Sequence, residues 1–275
     1  ERDGGSGRGG ARDGPDGSTV ALSAIAGFVG VLGLAVFASW LAFSLGRWLG
    51  TREARRDDRE HDAPVGSVVA ATLGLLAFSL AMAFNMAHTK HSGRKALVRE
   101  DVKAIQMAYD RAMLLPPEAT KSAHENLAEY AQIRAFDTFS QPDLPLELII
   151  RRSEEIQHEL WLQAVAHREH TNVRFYMDAL SNLKNVHAER VTMGVHDHVP
   201  IFVWVSLAFV TALGMITMGY QASLAGSRRT MAMIPLIVAF GVVFCLALDL
   251  DRPQQGILRV DQSPMLRLAD TLQAD

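Results

Sequence analysis

The sequence predicts an all-α integral membrane protein, with four transmembrane helices and a helical extramembrane insert between the second and third. Three observations predict it. Residues 19–45, 65–87, 199–221 and 230–248 contain no Asp, Glu, Lys or Arg. Each stretch is close to or above the roughly 20 residues a helix needs to cross a hydrocarbon core about 30 Å thick. Residues 88–198 are polar, with apolar positions at helical spacing, and neither an alternating run nor an Asn-Gly hairpin signals a strand.

Whole-chain averages hide this pattern. A chain of 275 residues that is 49% hydrophobic, with a mean hydropathy of +0.09, has the bulk composition of a soluble domain. The apolar residues, however, are gathered into blocks. The net charge of -3 and the lack of a basic patch interleaved with aromatics give no reason to expect nucleic acid. One cysteine, Cys245, rules out an intramolecular disulfide framework and a Cys-based zinc site.

Taken in order, residues 1–18 are mostly Gly, Arg and Asp with almost nothing to bury, and read as a flexible tail. Residues 19–87 hold the first two spans, joined by a basic loop, 46–64. Gly27, Gly30 and Gly33, then Ala70, Gly74 and Ala81, are the small residues expected where helices pack closely in lipid. In the insert, 88–198, a first helix carries Leu97, Ile105, Ala108 and Ala112 and stops at Pro116-Pro117. A second is expected over 118–139, bounded by "SQPDLP". A third begins near residue 144 and runs unbroken to about 190. The first and last insert helices are expected to continue from the neighbouring spans. Residues 199–250 hold spans three and four, and 251–275 form an amphipathic segment expected to lie along the membrane interface.

Four spans put the tail, the insert and the C-terminus on one side. The short loops carry Arg47, Arg52, Arg55, Arg56 and Arg59, then Arg228 and Arg229, and short basic loops prefer the cytoplasm. Lys90, Arg94, Lys95 and Arg99 count against this, but the balance puts the insert and both termini outside the cytoplasm.

The arrangement resembles a bestrophin-like domain family, bacterial membrane proteins with two N-terminal spans, a helical insert and two C-terminal spans. The resemblance is carried by "GLLAFSLAMAFNMA" at 74–87, then Arg94 and "VREDVKAIQMAYDRAMLLPP" at 98–117. It continues in "MDALSNLKNVHAERV" at 177–191, Pro200, "GYQASLAG" at 219–226 and above all "LDLDRPQQGILRV" at 248–260. The chain departs from the family where a Glu-Ala-Asn triplet is replaced by Glu100-Asp101-Val102, and where His198 stands for a basic residue. By kinship with bestrophins, the resemblance implies an oligomeric ion channel for anions. The alternative is a non-conducting scaffold or accessory subunit of a membrane complex.

Candidate site residues cluster at the membrane edge. An ionised carboxylate in hydrocarbon costs about 2.5–3.5 kcal/mol on insertion scales, so Asp249 and Asp251 belong at or beyond that edge. With Arg252 they form either a fixed turn or a charged collar around an ion path; Pro253 then stops the helix. Asn85, in the second span, marks either a lined path or a bond between helices. His88 and His91, spaced i, i+3, and His196 and His198 before span three are expected near the same level. Such a set suits zinc or copper, although helix-end histidines are the plainer reading and no cofactor is expected. Ser39, Ser44, Thr72, Ser79, Ser206, Thr211 and Thr217 are further polar residues within the spans. None of the spans holds a central charge, which argues against a proton-coupled transporter or a voltage sensor. With no phosphate loop, His-Glu-x-x-His or Gly-x-Ser-x-Gly elbow, the chain reads as a non-enzyme. Its expected partners are the lipid bilayer and further copies of itself or a larger membrane complex.

Overall fold

The computed structural model describes residues 17–53, 62–135, 145–224, 234–251, 258 and 260–274, with side chains from residue 25 onward apart from 62–65, 195 and 196. Among them every element is helical. In chain order these are α1 (Gly17–Glu53), α2 (Asp62–Ala112), α3 (Pro117–Ala135), α4 (Leu146–Ala166), α5 (Val173–Val191), a single π turn (Thr192–His196), α6 (Ile201–Leu224), α7 (Ile234–Asp251) and α8 (Ser263–Ala274). Four of them, α1, α2, α6 and α7, are long and apolar enough to span a membrane. The predicted tail lies almost entirely outside the described residues. α1 runs on to Glu53, so part of the expected basic loop is helical.

α2 carries the design. Its 51 residues form one continuous helix, about 76 Å long at 1.5 Å per residue, more than twice a hydrocarbon core. The expectation that the first insert helix continues from span two therefore holds. Gly93, in its middle, does not break it. A Cβ there would meet Met193 Sδ at 3.1 Å, so the missing side chain makes room for the π turn.

At its other end the insert behaves differently. α5 passes into the π turn, and residues 197–200 are non-helical before α6 begins. Pro200 has no N–H to donate and disfavours helix in the residue before it. The last insert helix is thus not continuous with span three. Nor is the third insert helix unbroken. Residues 167–172, "HREHTN", offer no buried side chain, and the turn there lets α4 and α5 double back.

That reversal lets both helices bury a face in one core with α2 and α3. Leu127, Tyr130, Ile156, Leu160, Tyr176 and Leu183 are completely enclosed. A fully buried side chain of this kind contributes about 1.5–3 kcal/mol relative to exposure. α8 joins the same core through Met265, Leu268, Ala269 and Leu272. The C-terminal helix, expected along the membrane interface, thus has its apolar side packed on the insert. Its apolar stripe therefore has a protein partner within the chain.

In the spans the close contacts fall elsewhere than expected. Gly27, Gly30, Gly33 and Gly74 have open space where a Cβ would stand. The tight approach is between α1 and α6, which run in the same direction. A Cβ on Gly46 would overlap the carbonyl of Ile216, and one on Gly219 the carbonyl of Phe43. Thr72, Thr211 and Thr217 bond carbonyls of their own helices, as small hydroxyls in lipid do.

Candidate functional site

Two polar clusters and one uncovered helix face stand out, and all three are organised by α2. Its covered side reads Ala87, His91, Arg94, Val98, Asp101, Ile105 and Ala108, a 4-3-4-3 spacing that keeps one stripe facing inward. Three of the seven are polar. Each sits where helical periodicity demands an apolar residue, which is a signal that the sequence reading passed over.

Arg94 ties the membrane edge together. Its Nε donates to Met193 O (3.2 Å), its Nη2 to Asp197 O (2.9 Å) and its Nη1 to Leu250 O (3.4 Å). One guanidinium fork thus joins α2, the π-turn linker and the end of α7, with the Asp197 and Asp251 carboxylates as its charged neighbours. One turn earlier, Lys90 pairs with the Asp197 carboxylate.

Asp249 and Asp251 are both buried, at 7% and 6% exposure, and each accepts a backbone N–H. Asp251 Oδ1 accepts from Val199 N at 2.9 Å, and Asp249 Oδ2 from Leu258 N at 2.8 Å. Val199 lies just before α6, whose first N–H groups lack intrahelical partners and carry partial positive charge. Asp251 therefore caps span three from the end of span four. Both carboxylates are thus engaged by backbone N–H groups at the α6–α7 end of the bundle. Arg252, expected as their cation, lies outside the described residues, and Arg94 from α2 stands beside Asp251.

The other predicted residues separate. Asn85 is exposed, away from the buried junction. His88 is exposed and stacks on Phe84, whereas His91 is buried beside Asp249, so the i, i+3 pair does not converge. His198 is exposed, and the side chain of His196 lies outside the described residues. Among the described residues no three His, Cys, Asp or Glu side chains come together as a metal site would require.

The second cluster is in the insert. Asp101 is fully enclosed, and its Oδ2 receives Arg134 Nε at 3.0 Å and Arg190 Nη1 at 2.6 Å. Arg190 Nη2 reaches on to Gln262 Oε1 at 2.9 Å, just ahead of α8. Gln157 donates to the Tyr130 hydroxyl (2.9 Å), which leaves that hydroxyl to donate to His187 Nδ1 (3.2 Å). Burial, reinforced by Arg134, pushes the His187 imidazole down to about 4. Burial likewise drives the Tyr130 phenol up.

The uncovered face of α2 is opposite. Ala71, Leu75, Phe78, Met82, Asn85, Thr89 and Ser92 follow the same 4-3 spacing, and all are exposed. Beyond them Lys95, Arg99 and Lys103 continue the exposed side into the insert. The face changes from apolar through uncharged polar to basic along one rigid helix.

A family model, the Bestrophin-like domain, matches residues 36–265. No curated protein matches the sequence. Among solved structures, a variant of a bacterial bestrophin homolog from Klebsiella pneumoniae is 17% identical with a TM-score of 0.58, covering 90% of this chain and 96% of that one. A second variant of that homolog is 18% identical with a TM-score of 0.57, over the same shares of the two chains. A third structure, described as a membrane protein, is 17% identical with a TM-score of 0.58, covering 90% and 95%. At this identity the likeness is one of fold.

Proposed function

The chain belongs to the Bestrophin-like family, and from that premise we propose that several copies surround a common axis to form a passive anion channel lined by α2. The observation that carries this reading is the uncovered stripe of α2. α6 and α7 cover the other side of its membrane portion, and among the described residues nothing covers Leu75, Phe78, Met82 or Asn85. Brought together around an axis, Leu75, Phe78 and Met82 make an apolar constriction, and Asn85, Thr89 and Ser92 an uncharged polar mouth. Lys95, Arg99 and Lys103 then present positive charge along the insert, which concentrates anions. The buried junction at Arg94, Asp249 and Asp251 holds the spans in register and does not itself line the path.

In this reading the protein is no enzyme and its partners are its own copies. Loop charge supports an insert outside the cytoplasm, and a membrane-impermeant thiol reagent on intact cells, tested against Ser181→Cys, checks it.

The test of conduction is current through purified protein in planar bilayers under a salt gradient. Channel activity requires a reversal potential near that of the anion and a ring of several copies in mild detergent. Silence under varied anions and cations, with a stoichiometric foreign partner, instead supports the scaffold reading.

A further inference from the structure

The four spans enclose a cavity of about 120 Å³. All four contribute to its wall, and its position is midway along them. Its origin is the α1–α6 pair. The two helices are pinned at Gly46 and Gly219, where neither side tolerates a Cβ. Toward the insert, Ala38, about two turns from Gly46, and Ala208, about three turns from Gly219, line the cavity, both small and both exposed. No side chain fills the wedge, and its mouth opens outward between them.

The wall decides the occupant. No charged group lines it, and its hydroxyls are those of Ser39 and Thr211, the latter already donating to Leu207 O at 2.7 Å. Water needs 2–4 polar partners, and apolar cavities of roughly 150 Å³ stay dry yet take up a benzene. A space somewhat smaller than that has room for a few methylenes and none for a headgroup. Hydrocarbon is the one solvent at this depth.

We propose that this cavity is a binding site for the end of a lipid acyl chain, admitted between α1 and α6 past Ala38 and Ala208. The bound chain rests on Leu76 and Leu80, which lie on the covered side of α2, behind its exposed stripe. The site stands whether or not the protein conducts.

Trp204 supplies the reporter. It is buried at 8% exposure and meets Phe244, a wall residue, edge-on at 5.9 Å. Trp40, Trp48 and Trp161 are replaced by Phe, and the protein is reconstituted in vesicles of phosphatidylcholine carrying dibrominated or plain acyl chains. Brominated chains are expected to quench Trp204. Two fillers, Ala212→Phe and the milder Ala208→Val, are expected to restore emission, with helicity by circular dichroism as the check on folding. Equal emission in the two lipids overturns the proposal, as does quenching that persists in a folded Ala212→Phe protein. Should bromobenzene in detergent quench Trp204 where brominated chains do not, the occupant is a free small solute and the lipid assignment fails.

Discussion

Asp251 at the end of α7 accepts the backbone N–H of Val199 just ahead of α6, at 2.9 Å, so the last residue of span four fixes where span three begins. A hydrogen bond to a charged group contributes about 1.5–3 kcal/mol, and leaving the buried N–H unmatched adds its desolvation. Asp251→Ala should therefore lower the midpoint of thermal unfolding in detergent by several degrees, with Asp251→Asn falling between the two. Equal midpoints for all three proteins contradict the cap.

Arg94 reaches three carbonyls from three segments, a geometry that a planar fork meets and a lysine ammonium does not. Arg94→Lys is expected to cost nearly as much as Arg94→Ala, about 3 kcal/mol for breaking a buried charged contact. Chemical denaturation of the two variants side by side reads this directly. A lysine variant as stable as the parent would show that charge alone suffices.

Glycine substitutions should separate sharply by position. Gly219→Ala must push the α1 and α6 backbones apart, whereas Gly74→Ala meets open space. The first is expected to abolish a monodisperse size-exclusion peak and the second to leave it intact.

The insert should lose stability as the medium is acidified. With a folded-state value near 4 against an ordinary 6.5, His187 is neutral in the folded insert while the unfolded chain takes up a proton. The contribution is present above about pH 6.5 and is lost as pH falls toward 4; a shift of this size is worth about 3 kcal/mol at most. Denaturation midpoints measured from pH 7 to 4 should fall more steeply for the parent than for His187→Gln. Parallel curves would clear the imidazole of any part in it.

For conduction, the apolar stripe is the part to cut. Phe78→Ala is expected to raise single-channel conductance by widening the constriction, and Lys95→Gln with Arg99→Gln to weaken anion preference, seen as a shifted reversal potential. Substituting Leu80, on the covered side of the same helix, should alter stability ahead of conductance.

How much of this could be read from the chain depends on range. Four uncharged blocks and a polar interval specify spans and insert because lipid penalises charge and unpaired backbone whatever the neighbours are. The stripe on α2 was likewise legible as periodicity, although Asn85 is the one member that stands out as polar within the span. The role of Arg94 was not, because a single arginine past a span looks like an ordinary snorkelling residue until Met193, Asp197 and Leu250 are known to converge on it. The break at 167–172 also escaped notice, since a charged run without Gly or Pro is compatible with an exposed helix.

By itself, then, the sequence determined the four spans, the helical character of the insert and the crossing of a membrane, all of them matters of local composition and period. Only the tertiary structure decided that α8 docks on the insert, that Gly46 and Gly219 are the crossing point, and that Asp251 caps a helix fifty-two residues earlier. Those depend on which surfaces meet, and a contact between distant residues leaves no mark in the composition of either one.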